Sequence, residues 1–239
     1  MGGDAVQSGP GRVRSPRGRL GRGASLVQAA VTWALDRLGR RGRGEREVQR
    51  KALLVYQRLC RPVMEELLGA EGYLRCCAAM LKEYDGFAMH LPLLRDRNNR
   101  RQFFGNAPFM LSLYRALRGE LALNQEEALR LLSAISAYKV RKEYERATWL
   151  RFLMARLGRN RLFNRLGLLQ VQYRPEEYGW AATYPVTCAE IAFDMTRCGL
   201  VDWFRDQGAP EIAPIACEGD YIAAELLPGL RFIRTKTLA

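Results

Sequence analysis

The chain has 239 residues, of which 48% are hydrophobic and 26% charged, a composition that builds a core and excludes wholesale disorder. No apolar run reaches the roughly 18–20 residues that cross a bilayer. The single histidine, His90, excludes a histidine-rich metal centre, and six cysteines without a C-x-x-C pair are too few for a disulfide scaffold. Reduced thiols and a cytoplasmic setting are therefore expected.

The net charge of +13 is uneven. Residues 1–43 carry nine arginines against two aspartates, seven of the thirteen net charges, in a Gly/Arg/Ser/Pro-rich stretch. Such a leader cannot bury enough apolar surface to fold alone, and residues 1–23 are expected to be flexible and dispensable. Leu26, Ala30, Trp33 and Leu38 give a short helical pattern behind it. Basic residues flank that pattern on both sides and no convincing cleavage site follows, which argues against a secretory signal. An arginine arm can touch RNA or anionic lipid, but the body has no nucleic-acid motif with interleaved aromatics, so no specific nucleic-acid partner is expected.

From Glu45 the period is helical. Val48, Ala52, Val55, Tyr56, Leu59, Val63 and Leu67 share a face, with Pro62 as a kink and Gly69 as a stop. A second helix runs from Glu71 to Glu83. The stretch Pro92–Gly105 is polar and turn-like, and Asn106 is placed to cap a helix through Phe109, Leu113 and Leu117. Asn124-Gln125-Glu126-Glu127 reads as a capping box for a helix through Leu132 and Tyr138, and one more follows through Leu150 and Leu157. Five helices joined by short loops make a bundle over residues 44–160. Cys60, Cys76 and Cys77 read as packed thiols there, and His90 as a structural histidine.

After Leu168 the period shortens. Leu169, Val171 and Tyr173 alternate with polar residues; Trp180–Val186, Ala189–Thr196 and Leu230–Thr235 are further strands, with short helical turns between. The predicted fold class is α+β, a helical bundle followed over residues 161–239 by a mostly antiparallel β-sheet with short helices, the whole of 44–239 forming one compact unit. Cys198 ends a strand and Cys217 ends a helical turn, positions at which side chains converge on clefts.

Several segments then acquire a family likeness. Arg197-Cys198, Trp203-Phe204-Arg205, Gly208-Ala209-Pro210-Glu211, Ala216-Cys217-Glu218-Gly219-Asp220-Tyr221 and Leu230-Arg231-Phe232-Ile233-Arg234-Thr235-Lys236-Thr237-Leu238 together resemble the L-2-amino-thiazoline-4-carboxylic acid hydrolase family. The likeness runs from about Val48 to the end, with His90-Leu91-Pro92 where the family has a Leu-Pro segment. In the family pattern the R-T-x-T segment continues into a glycine turn and a final strand bearing a further cysteine. This sequence ends at Ala239, so the resemblance implies a divergent, truncated member.

The resemblance implies hydrolytic opening of a cyclic amidine carbon in a small amino-acid derivative, within amino-acid metabolism. That chemistry needs a nucleophile, a proton donor and a cation for the substrate carboxylate. Cys198 and Cys217 are the candidate nucleophiles, activated by Arg197 or Arg234, and Asp220 is the acid/base. Arg197, Arg234, Thr235 and Thr237 are the candidate substrate-binding residues, Arg234 as a bidentate clamp. No cofactor is expected; a metal held by Cys198, Cys217 and Asp220 is the less favoured arrangement. The alternative function is a non-catalytic relative that binds a small molecule or a partner protein. Self-association is left open by the residues.

Overall fold

The computed structural model describes residues 42–156, 173–183, 194–226 and 233. The arginine leader, the strand read at residues 169–172, Cys188 and the candidate residues Arg234, Thr235 and Thr237 lie outside the described residues.

Helix α1 (Gly42–Phe87) contains Pro62 and is broken at Gly69, whose φ of 74° and ψ of 167° are left-handed extended values natural only to glycine. The break folds α1 into two antiparallel arms, as the glycine stop predicted. Across the hairpin the Gln57 amide donates to the Cys77 carbonyl at 2.9 Å and the Tyr84 hydroxyl donates to the Arg46 carbonyl at 2.8 Å. Beyond a short 3-10 turn (Ala88–His90), in which His90 is exposed, comes α2 (Arg97–Gly119). Its cap is Asp96, whose carboxylate accepts from the amides of Asn98 and Asn99, and not Asn106, which lies inside the helix and donates to the Gln102 carbonyl. The polar stretch expected to be a turn therefore supplies the first turns of α2.

Helix α3 (Gln125–Arg156) is one helix where two were expected. Its start is the predicted capping box: the Glu127 amide donates to Asn124 Oδ1 at 2.9 Å, and the Asn124 amide donates back to Glu127 Oε2 at 3.3 Å.

The expected large sheet is not found among the described residues. There β1 (Ala181–Thr183) pairs with β2 (Asp194–Arg197) in a two-stranded antiparallel ribbon. Helix α4 (Gly199–Asp206), a 3-10 turn (Pro210–Ile212) and α5 (Ala213–Glu225) follow, so the protein is mostly helical. Leu200, Val201, Trp203 and Phe204 repeat at helical intervals and are all buried, so the helical turn read there forms as α4. The two helical turns predicted around Cys217 and Tyr221 are a single helix that runs through Gly219. A Cβ at Gly219 would stand 3.4 Å from the Val140 side chain, so α5 fits closely against α3.

One core serves all five helices. Trp203, 1% exposed, stands edge-on to Phe87 of α1 at 5.7 Å and to Phe103 of α2 at 5.1 Å. On the far side of α2, Lys139 of α3 is 2% exposed yet charged. Its ammonium pairs with Glu143 at 2.9 Å and lies 4.4 Å from the centre of the Tyr56 ring. Burial alone would push that ammonium down; Glu143 and Tyr56 outweigh it and hold the group charged.

Asn99 is completely buried and ties α2 to the segment before β1. Its Nδ2 donates to the Arg174 carbonyl at 2.8 Å and its Oδ1 accepts from the Trp180 amide at 3.0 Å. Asn99→Ala strands both backbone groups and should cost about 2–4 kcal/mol, read as a lower urea midpoint at unchanged m-value.

Burial pushes the thiols of Cys60 and Cys76 up to about 12 from 9.0. Between those values the unfolded chain gives up protons that the native chain keeps. The contribution is therefore intact below pH 9 and lost as pH rises toward 12. Stability measured by denaturant titration should fall from pH 9 to 11, and less so for Cys60→Ala.

Candidate active site

The ribbon delivers the chain to the site. β2 ends at Arg197, Cys198 stays extended (φ −126°, ψ 112°), and α4 begins at Gly199. Gly199 is required by space. A Cβ there would come 1.8 Å from the Tyr178 carbonyl oxygen, so only a bare backbone fits against the 173–180 segment. That segment is itself fixed by Asn99 and by Glu176, whose carboxylate accepts from the backbone amides of Arg95 and Asp96 at 2.9 and 2.8 Å.

Cys198 thus occupies the N-cap position of α4, half-buried. Its thiol makes no capping hydrogen bond, yet it lies within the influence of the helix start. Burial is the largest effect and raises its pKa; the amides of Val201 and Leu200 oppose this, and Cys217 and Asp220 raise it further. The net direction is upward, so the thiol is protonated at neutral pH. The activation expected from Arg197 is not what the structure shows. The Arg197 guanidinium donates to Asp202 at 2.9 Å and to the Glu176 carbonyl at 3.1 Å, which commits it to bracing α4 and the neighbouring loop.

Cys217 and Asp220 come from α5. Three residues apart on a helix, they share one side of it, with Cys217 half-buried and Asp220 exposed. Asp220 sits inside the helix and so is no N-cap. α5 is held to α3 by the Ser133 hydroxyl, which donates to Glu218 at 2.8 Å, and by the Val140–Gly219 contact. α4 and α5 pack against one another, so Cys198 at the start of α4 and Cys217 and Asp220 of α5 lie on neighbouring elements. Among the described residues, no group of three His, Cys, Asp or Glu side chains is placed to hold a metal ion.

Two neighbours escaped the sequence reading. Tyr144 on α3 has its pKa raised, first by burial and then by Glu143 and Asp220, while Arg101 and Lys139 pull it down. Tyr144 is one turn along α3 from Val140, which meets Gly219 beside Asp220, and Arg101 stands near the start of α2. The available signal was Lys139: a charged residue four positions after Ile135, in the register of the buried face, marks a polar intrusion into the bundle.

The fold and these groups define a mostly helical protein in which a short ribbon leads into two C-terminal helices that carry the candidate thiols and carboxylate. The model of the L-2-amino-thiazoline-4-carboxylic acid hydrolase family matches residues 103–239, more than half of the chain, including Cys198, Cys217 and Asp220. The chain belongs to that family. Comparison with curated proteins and with solved structures gives no significant match. No helix among the described residues is long and apolar enough to cross a membrane.

Alkylation of the native chain with iodoacetamide, followed by peptide mass spectrometry, should modify Cys198 and Cys217 well before the fully buried Cys60 and Cys76. Because the Cys198 thiol is raised, its rate should still be climbing with pH throughout the range from pH 7 to 9. A rate already flat at pH 7 would show a thiolate there.

Proposed function

We propose that this protein is a hydrolase that opens a C–N or C–S bond of a small cyclic amino-acid derivative, L-2-amino-thiazoline-4-carboxylate being the compound its family name indicates. The observation that supports this most is the packing of α4, whose N-cap is Cys198, against α5, which carries Cys217 and Asp220. A protonated thiol near a carboxylate suits a nucleophile that is deprotonated only as it attacks.

In this reading Cys198 Sγ attacks the ring carbon between sulfur and nitrogen, and its proton passes to Asp220. The bond from that carbon to the ring sulfur breaks, and Asp220 returns the proton to the leaving sulfur. Water then adds to the enzyme-bound isothiourea carbon and the Cys198 thiol is expelled, leaving a carbamoyl-cysteine. Cys217 stands beside this path as a second thiol. Arg234, Thr235 and Thr237 are proposed as further substrate contacts, and Arg197 as a brace that keeps Cys198 in place.

A second reading, a relative that binds such a molecule without turning it over, is favoured by one observation: burial raises the Cys198 thiol and works against nucleophilic attack. Turnover of L-2-amino-thiazoline-4-carboxylate by the full chain, followed by liquid chromatography and mass spectrometry, separates the two. Carbamoyl-cysteine should form, Cys198→Ala should reduce it to background, and Asp220→Asn should slow it by about 10²–10⁴. Ligand binding without product, unchanged in Cys198→Ala, would establish the non-catalytic reading.

A further inference from the structure

We propose that Arg101, near the start of α2, is the cation that receives the carboxylate of the ligand, completing the site that Cys198, Cys217 and Asp220 begin. The proposal rests on the reading of this cluster as a site for a small amino-acid derivative, and it names a residue that lies outside the family match.

An amino-acid derivative presents a carboxylate at neutral pH, and a half-buried site must meet it with a cation or lose affinity. Arg197 is spent on Asp202 and the Glu176 carbonyl. Arg101 is exposed, and it takes part in none of the ion pairs among the described residues.

Its place follows from the topology. α2 ends at Gly119 and α3 starts at Gln125, so the two pack as an antiparallel hairpin around a short connection. Arg101 lies eighteen residues before the end of α2, and Tyr144 lies nineteen after the start of α3. At about 1.5 Å per residue both are about 27–29 Å from the turn, and so stand at one level. Tyr144 is also one turn along α3 from Val140, the residue that meets Gly219 next to Asp220. Arg101, Tyr144 and Asp220 therefore lie in sequence across three helices. The electrostatics agree, since the Tyr144 hydroxyl responds to Arg101 and Asp220 with opposite signs. A ligand reaching Cys198 past Asp220 would find the planar guanidinium fork at the rim, where a carboxylate binds through two parallel hydrogen bonds.

The test uses two probes of one shape, L-thiazolidine-4-carboxylate and its carboxamide, titrated calorimetrically into the full chain. Arg101→Met should weaken the carboxylate by about tenfold or more and leave the carboxamide within about twofold. Arg101→Lys should fall between, because an ammonium keeps the charge and loses the fork. Arg101 is exposed, so these changes leave the core alone, and an unchanged circular-dichroism melt verifies it. Equal affinity of Arg101→Met and the parent chain for the carboxylate would overturn the proposal. An equal loss for both probes would also overturn it, showing that Arg101 only balances Asp220. Charge-selective loss in a chain that gives no carbamoyl-cysteine would uphold Arg101 and refute the hydrolase. Turnover untouched by Arg101→Met would do the reverse, and a parent chain that binds neither probe would overturn both.

Discussion

The geometry of the site depends on one buried amide. Asn99 spends its donor on the Arg174 carbonyl and its acceptor on the Trp180 amide, and so locks an otherwise irregular segment against α2. That segment carries the Tyr178 carbonyl, and the carbonyl in turn lies against Gly199, the first residue of α4. The position of Cys198 is therefore set by a relay of backbone contacts and not by its own side chain. A buried polar residue is tolerable here because its hydrogen-bonding groups are matched. Glu176 strengthens the relay by accepting from the amides of Arg95 and Asp96, just ahead of α2.

The helical half was legible because its signals are local. The Gly69 break and the Asn124–Glu127 box are each decided by residues a few positions apart, and both form as read. Asn98, Asn99, Arg100 and Arg101 misled for the opposite reason. They are polar and look like a turn, but Asp96 caps them into a helix and Asn99 finds partners some 75–81 residues away. No local pattern announces such a partner. In the C-terminal third the residues of α4 and α5 were read as short helical turns between strands. Gly219 broke the apparent helix into two pieces, although the helix runs through it and a Cβ there would meet Val140 only at ordinary contact distance.

The candidate site was legible in part. Cys198, Cys217 and Asp220 were marked by their positions on the C-terminal elements and by family likeness, and they fall on α4 and α5, two helices in contact. The role of Arg197 was not legible, because its partner Asp202 is committed only once α4 has formed. Tyr144 stayed hidden because an aromatic residue on a helix reads as core. The Lys139–Glu143 pair beneath it is a costly feature in a small bundle, since burying two charges seldom repays their desolvation.

The contacts of Trp203 bear on the order in which the molecule assembles. The α1 hairpin and the α2–α3 pair close over short loops, so they can form early and cheaply. Trp203 meets Phe87 and Phe103 only after more than a hundred and about a hundred intervening residues, respectively, have been organised. Such non-local closure carries most of the loop entropy and belongs late on the folding route. Cys198 lies five residues before Trp203 and takes its setting from the same docking of α4. A nascent or partly folded chain can therefore hold its helical half while the Cys198 thiol still lacks its native setting, which arrives only with the last large step of folding.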